Sequence, residues 1–256
     1  MKIKFYKYQA TGNDFVIIDN RGGHYQLSIE QIMKLCDRKF GVGCDGVMFI
    51  EKDPQFDFKL SYYNGDGTQS LCGNGSRAAV KIASDLGMIS GKTTFNAYDG
   101  PHEAEVLPDD IIKLKMNDVN ELRHIDNGFF VNTGSPHFVK FVDTLKDYPI
   151  TPEGREIRYS PSFHPMGTNA NFVEEIGNNT LFVRTYERGV EEETLSCGTG
   201  VTASALAASL KGYTSPVKIK VLGGELSIEF KSKENLFSDI FLIGPAQKVF
   251  EGEIEI

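Results

Sequence analysis

Two cysteines stand in the same local setting. Asn64 to Ala79 reads N-G-D-G-T-Q-S-L-C-G-N-G-S-R-A-A, and Glu193 to Ala208 reads E-T-L-S-C-G-T-G-V-T-A-S-A-L-A-A, so Cys72 and Cys197 each open a C-G-x-G turn. The run after Cys72, Ser76 to Asp85, reads as a helix. A thiol at a helix N-terminus is where a thiolate is favoured. Alone, such a thiol suits a nucleophile, a redox centre or plain packing. A pair suits a narrower task. Inverting a carbon that carries an acidic hydrogen needs one group to remove the proton from one face and another to deliver a proton to the opposite face. One ionised and one protonated thiol do this in either direction by exchanging roles. A helix terminus adds only about 0.3 to 1 kcal/mol to the thiolate, at best about 2, so exclusion of water must add to it. The glycines let the main chain approach closely, and the N–H groups of a helix start can hold a carboxylate.

The elements that must position these thiols occur twice. Tyr8 to Asp19, Y-Q-A-T-G-N-D-F-V-I-I-D, resembles Phe130 to Asp143, F-V-N-T-G-S-P-H-F-V-K-F-V-D, with Thr11-Gly12 answering Thr133-Gly134 at an offset of 122. The two C-G-x-G turns are offset by 125, and each cysteine is followed 15 residues later by a glycine, Gly87 and Gly212, placed to end a helix. Two matches at nearly one offset indicate an internal duplication.

In chain order, Lys2 to Ile18 reads as a strand pair turning at Gly12-Asn13, and Ser28 caps a helix with Ile29, Ile32, Met33 and Cys36 on one face, which makes Cys36 a packing residue. F-G-V-G-C-D-G-V-M-F-I puts its glycines before a strand and no helix after them, the wrong order for a phosphate loop. Cys44 there has no C-x-x-C partner and no nearby histidine, so it is read as inert rather than as a metal ligand. Strands follow at Phe58 to Tyr63, then a meander at Thr93 to Ala97, Glu103 to Leu107 and Ile111 to Met116. The second half has strands at Ala170 to Ile176, Thr180 to Tyr186, Val217 to Val221, Glu225 to Phe230 and Ile240 to Ile243, with a closing one at Phe250 to Ile256. Strands dominate, with one prominent helix per half. The expected class is α+β: two similar pseudo-twofold-related lobes, each a β-rich sheet around a central helix, with the active-site cleft between them. The N-terminal lobe spans 1–117, joined by a C-terminal strand at 249–256, and the C-terminal lobe spans 118–248, with the polar stretch 117–127 as linker.

Bulk properties narrow the class. A net charge of -8 with scattered lysines offers no basic stripe for nucleic acid. No segment has the roughly 20 apolar residues of a bilayer span, and the alternating start lacks a signal-peptide core, so a cytoplasmic location with no membrane partner is expected. Four cysteines in such a chain are expected to stay reduced. An acidic, mixed surface is compatible with a homodimer.

C-G-N-G-S-R-A preceded by Asn64, Y-E-R-G-V-x-E-E-T-L-S-C-G-T-G, the A-T-G-N-D-F opening and G-T-N-A-N-F-V at Gly167 to Val173 together resemble the diaminopimelate epimerases through almost the whole chain. The resemblance implies a two-lobed enzyme that works without cofactor or metal on a small amino-acid substrate. It would convert LL- to meso-diaminopimelate for lysine and peptidoglycan precursors. It implies Cys72 and Cys197 as the acid and base, without saying which acts on which stereoisomer. Asn13, Asn64, Asn169, Glu187 and Arg188 would line the substrate cleft, and Gly73, Asn74, Gly198 and Thr199 would offer main-chain donors. Arg188 suits a distal carboxylate and Glu187 an amino group. Three places depart from the family's pattern: Ser135 stands where Asn is usual, Gly46 where many members carry Gln, and the segment to Cys197 is one residue longer at Glu191 to Glu193. These bear on substrate choice. Two other readings remain: racemisation or epimerisation of another amino acid on this fold, and a non-catalytic binding protein with a Cys72–Cys197 disulfide. His137 is read as a packed residue rather than a general base.

Overall fold

Thr11 and Gly12 both take positive φ, 49° and 86°, and join strands β1 (Lys2–Ala10) and β2 (Asn13–Asp19) by the two-residue turn whose twist suits a hairpin. This hairpin starts the first of two units in the chain. The structure, a computed structural model, describes residues 1–256. The units are Met1–Leu114 with Gly244–Ile256, and Lys115–Ile243.

In the first unit β1 and β2 are followed by helix α1 (Ile29–Cys36), β3 (Gly46–Glu51), β4 (Phe58–Asn64), α2 (Gly73–Asp85), β5 (Lys92–Ala97), β6 (Gly100–Val106) and β7 (Ile111–Lys115). The C-terminal strand Gln247–Glu255 lies antiparallel along β1. From it the sheet runs β1, β2, β3, β4, β5, β6, β7, with β2–β3 and β4–β5 parallel and the other neighbours antiparallel. Both faces of β2 and β3 are covered, which is why F-V-I-I and V-M-F-I are continuously apolar. On one face Val16, Ile18, Val47 and Phe49 form a core with Ile32, Leu35 and Cys36 of α1. On the other lies α2, packed on β1, β2, β3, β4, β6 and the C-terminal strand.

The second unit contains β8 (Leu122–Ile125), β9 (Gly128–Asn132), β10 (Pro136–Phe141), α3 (Ile150–Arg158), β11 (Asn169–Glu175), β12 (Thr180–Glu187), β13 (Glu192–Thr194), α4 (Gly198–Ser209), β14 (Val217–Val221), β15 (Gly224–Lys233) and β16 (Leu236–Pro245). Its sheet runs β8, β9, β10, β11, β12, β14, β15, β16, with β10–β11 and β12–β14 parallel. That is the first unit's succession of parallel and antiparallel pairs. α3 covers Ala170, Phe172 and Tyr186 on one face of the sheet, while α4 packs against β9, β10, β11, β12, β14 and β15. The class is α+β with two similar units. No helix is long and apolar enough to cross a membrane.

Several expectations change. The stretch 117–127 is no plain linker: it carries β8, and Val119 bridges Phe237. Only Leu122 of β8 is buried, so the strand has no alternation to read. α3 was not expected at all. In α1 the buried face is Ile32, Leu35 and Cys36, while Ile29 and Met33 on its flank are about half exposed (53% and 47%). The helix after Cys72 starts at Gly73 rather than Ser76.

Candidate active site

The two motif helices are built alike. Cys72 and Cys197 are the residues at the N-caps of α2 and α4, with φ, ψ of -129°, 112° and -122°, 108°. Extended backbone at the cap turns the chain into the helix and leaves the first-turn amides directed along the axis. The far ends match too. Gly87 N–H donates to Ser84 O and Met88 N–H to Ala83 O, and Gly212 N–H donates to Ser209 O and Tyr213 N–H to Ala208 O. Both are Schellman closures around a glycine of positive φ, 68° and 94°. Between these ends Gly, Ala and Ser dominate, and both helices are buried almost all round.

In the first unit strand pairing gathers the candidate residues at one end of the sheet. Asn13 opens β2, Gly46 opens β3 beside Phe15, and Asn64 closes β4 directly opposite Gly46. The Cys72 thiol lies 3.5 Å from Asn13 Oδ1, and Gly75 N–H donates to Cys72 Sγ at 3.4 Å. Asn13 is oriented by Asp45, whose Oδ2 accepts from its Nδ2 at 2.6 Å, and Asp45 is held by Arg38 at 2.7 Å. Asn74 Nδ2 donates to Asn13 Oδ1 at 3.4 Å, and Arg77 Nη2 donates to Asn74 Oδ1 at 3.0 Å and Thr11 Oγ1 at 3.2 Å. Arg77 is fully buried, and burial lowers its pKa to about 10. Asn64 takes part in a local turn with Thr68 and Ser70.

The second unit repeats the placement with different chemistry. Asn169 opens β11 beside His137, and Glu187 closes β12. Asn169 donates to Ser135 Oγ at 2.9 Å and Pro136 O at 2.8 Å, and accepts from Arg188 N–H at 2.8 Å. Glu187 Oε2 accepts from Thr194 Oγ1 at 3.0 Å, and Arg188 Nη1 donates to Met166 O at 3.3 Å. Cys197 Sγ is 3.6 Å from Thr199 Oγ1, which meets His137 Nε2 at 2.9 Å. Asn171 Nδ2 lies 3.0 Å from His137 Nδ1. Complete burial drives the His137 pKa down to about 3, so the imidazole is neutral. With Nδ1 accepting from Asn171, its single proton sits on Nε2 and points at Thr199. His137 is a buried structural residue.

The departures from the family pattern have local causes or anchors. A Cβ on Gly46 would lie 2.4 Å from the Tyr62 ring and 2.7 Å from Tyr63 O, so Tyr62 occupies the space a longer side chain would use. Ser135 supplies an acceptor to Asn169. In the longer segment Glu191 accepts from Arg158, Tyr159, Tyr186 and Gly189 N–H, fixing the insertion. Cys36 and Cys44, read as packing and inert, are buried in the α1 core with sulfurs 3.6 Å apart. None of the four cysteines belongs to a disulfide. No group of three His, Cys, Asp or Glu side chains is arranged to hold a metal. Sequence reasoning quoted Arg77 inside a motif without giving it a role. The available signal was an arginine within a run of Gly, Ser and Ala too small to form a solvent face.

The family model described as diaminopimelate epimerase matches residues 5–121 and again 129–249. The chain belongs to the diaminopimelate epimerase family. A diaminopimelate epimerase from Flavobacterium psychrophilum is 49% identical over 98% of this chain and 100% of its own length. One from Aquifex aeolicus is 38% identical over 98% of each. Among solved structures, the Bacillus anthracis phenazine biosynthesis protein of the PhzF family superposes with a TM-score of 0.80 at 14% identity, covering 100% of both chains. A hydroxyproline epimerase from Agrobacterium vitis, with bound trans-4-hydroxy-L-proline, gives 0.68 at 14% identity over 99% of this chain and 92% of that one. At such identities these two share the fold with the diaminopimelate epimerase family, and nothing finer follows from them.

Proposed function

We propose that this chain interconverts LL- and meso-diaminopimelate, for lysine and peptidoglycan precursors, by moving one proton at the α-carbon. The observation that carries the reading is the matched pair of N-cap cysteines in a member of this family. One sulfur, as thiolate, takes the α-hydrogen as a proton and the electron pair stays on carbon. The other, as thiol, returns a proton to the opposite face, and the thiols end with their roles exchanged. The reading requires both sulfurs to reach one carbon. Main-chain N–H groups of Gly73, Asn74, Gly198 and Thr199 would hold the α-carboxylate and the charge that develops beside it. A single donor of this kind is worth about 10²- to 10³-fold in rate. Asn13, Asn64 and Asn169 would orient the amino-acid groups, Glu187 would accept from an ammonium, and Arg188 would take the distal carboxylate. No cofactor takes part in this scheme.

The test is proton exchange. Incubation with LL- or meso-diaminopimelate in deuterium oxide is expected to place deuterium at the α-carbon. Cys72→Ala and Cys197→Ala are each expected to abolish turnover. Activity surviving either substitution refutes the two-thiol scheme. A panel with single-carboxylate amino acids separates the proposed substrate from others, since Arg188 and Glu187 suit a two-ended one.

A further inference from the structure

Arg77 is the fully buried cation of α2. Its Nη2 is held by Asn74 and Thr11, and its Nε and Nη1 have no hydrogen-bond partner. A buried charge is costly unless something compensates it, and removing a partner from a buried ion is strongly destabilising. The charged groups on surrounding elements are already engaged. Lys7 of β1 and Arg38 lie on Asp14 of β2. Arg38 also holds Asp45, and Lys81 on α2 itself holds Asp85 and Asp110. Tyr8 of β1 donates to Asp85, and His102 of β6 pairs with Asp99. On β6 it is Ala104, between Glu103 and Glu105, that is buried. Lys248 and Glu251 of the C-terminal strand pair with each other. On β3 and β4 the inward groups include Met48 and Tyr62, and the outer Glu51 and Lys59 pair together. The Cys72 sulfur, five residues away at the head of the same helix, is joined to Arg77 through Asn13 and Asn74, and a negative charge on it would favour the charged guanidinium.

The second unit has no such charge. At the offset of the cysteine motifs Arg77 corresponds to Thr202, whose hydroxyl donates to Gly198 O at 2.9 Å inside α4. The group linked to Cys197 through Thr199 is the neutral His137. The halves therefore repeat the geometry and differ in electrostatics.

We propose that Arg77 is a positioning residue that supplies the counter-charge for a Cys72 thiolate, so that in the resting protein Cys72 is the base and Cys197 the acid. This rests on the two-thiol reading of the site. In the thiol form Cys72 faces Asn13 Oδ1, and in the thiolate form it keeps the Gly75 N–H donor while Arg77 balances the charge. Arg77 does this through the helix interior, holding Asn74 and Thr11 as well, and touches no substrate.

The experiment follows iodoacetamide alkylation against pH in two backgrounds, Cys197→Ser to report Cys72 and Cys72→Ser to report Cys197. Cys72 is expected to alkylate with the lower pH midpoint. Arg77→Met should raise that midpoint by about one pH unit or more, about tenfold in rate below it, while Arg77→Lys holds it closer to its original value and the Cys197 profile stays put. Unmoved Cys72 in a folded Arg77→Met protein, or equal movement of both thiols, overturns the proposal. A second measurement leaves Arg77 in place. Melting curves of the intact protein and Cys72→Ser should diverge as pH rises from about 5 to 9, the intact protein gaining, because only it can form the pair. Parallel curves overturn the proposal as well. Neither readout needs turnover, so failure of the diaminopimelate reading shows in the exchange assay and failure of the Arg77 role shows here.

Discussion

Gly75 and Gly200 are the third residues after Cys72 and Cys197, and their replacement by alanine separates the two halves sharply. A Cβ on Gly200 would stand 2.3 Å from Asn171 Oδ1 and 3.3 Å from both Cβ and Sγ of Cys197. Asn171 cannot swing aside freely. Its amide nitrogen serves His137 Nδ1 and Phe138 O, each at 3.0 Å, and its oxygen accepts from Thr185 at 3.0 Å. Overpacking a core costs about 1 to 3 kcal/mol, and stripping a buried polar group of its partner about 1 to 3 more. Against this stands at most about 1 kcal/mol gained by replacing glycine in a helix. Gly200→Ala is therefore expected to destabilise by about 2 to 4 kcal/mol. A Cβ on Gly75 would meet the Met48 methyl at 2.9 Å, the end of a flexible side chain, and Cys72 Cβ at 3.3 Å. There the terms cancel to within about 1 kcal/mol. Urea unfolding midpoints at constant slope measure the difference. Turnover of Gly200→Ala should fall as well, because the displaced Asn171 unseats His137 and Thr199 beside Cys197. Equal costs for the two substitutions, or a neutral Gly200→Ala, would refute the reasoning.

Two further outcomes are expected. Burial opposes ionisation of Asp14, but hydrogen bonds from Arg38 and Lys7 outweigh it and lower its pKa. A lowered folded pKa gives stability that is present above the unfolded value near 4 and is lost as pH falls through the folded one, so Asp14→Asn should flatten acid unfolding below about pH 4 in circular-dichroism titrations. Ser76 is fully buried in α2 with no partner for its hydroxyl, so Ser76→Ala should raise stability by about 1 kcal/mol in the same urea assay.

The sequence shows what is local and repeated. The C-G-x-G turns, the glycines 15 residues on and the Ser28 cap, which the structure completes as a capping box with Gln31, each depend on a few neighbouring residues. What stayed hidden depends on contacts far along the chain. α3 has few apolar residues. Its packing rests on Gly154, where a Cβ would fall 2.3 Å from Tyr186, and the lack of a side chain carries no periodic signal. Gly46 is explained by Tyr62, sixteen residues later, and the Cys36–Cys44 contact by a loop that returns over α1. Arg77 looks like a surface residue until both faces of its helix are known to be covered. The asymmetry of the two halves has the same origin: it lies in Arg77, Asn171 and His137, not in the paired motifs that identify them.

The strand Gln247–Glu255 fixes an order of assembly during synthesis. It pairs with β1 over nearly its whole length, from Lys2–Glu255 to Gln9–Gln247, yet it is made only after all of β8 to β16. The second unit is one uninterrupted stretch of chain and needs nothing beyond Ile243 to close. Until Gln247–Glu255 pairs with it the first unit holds an open edge along β1, where Ile3 and Phe5 await cover, which is the kind of surface that chaperones recognise and that pairs wrongly between nascent chains. A chain cut short before Gln247 would thus leave the half carrying Cys72 unfinished while the half carrying Cys197 had all of its residues.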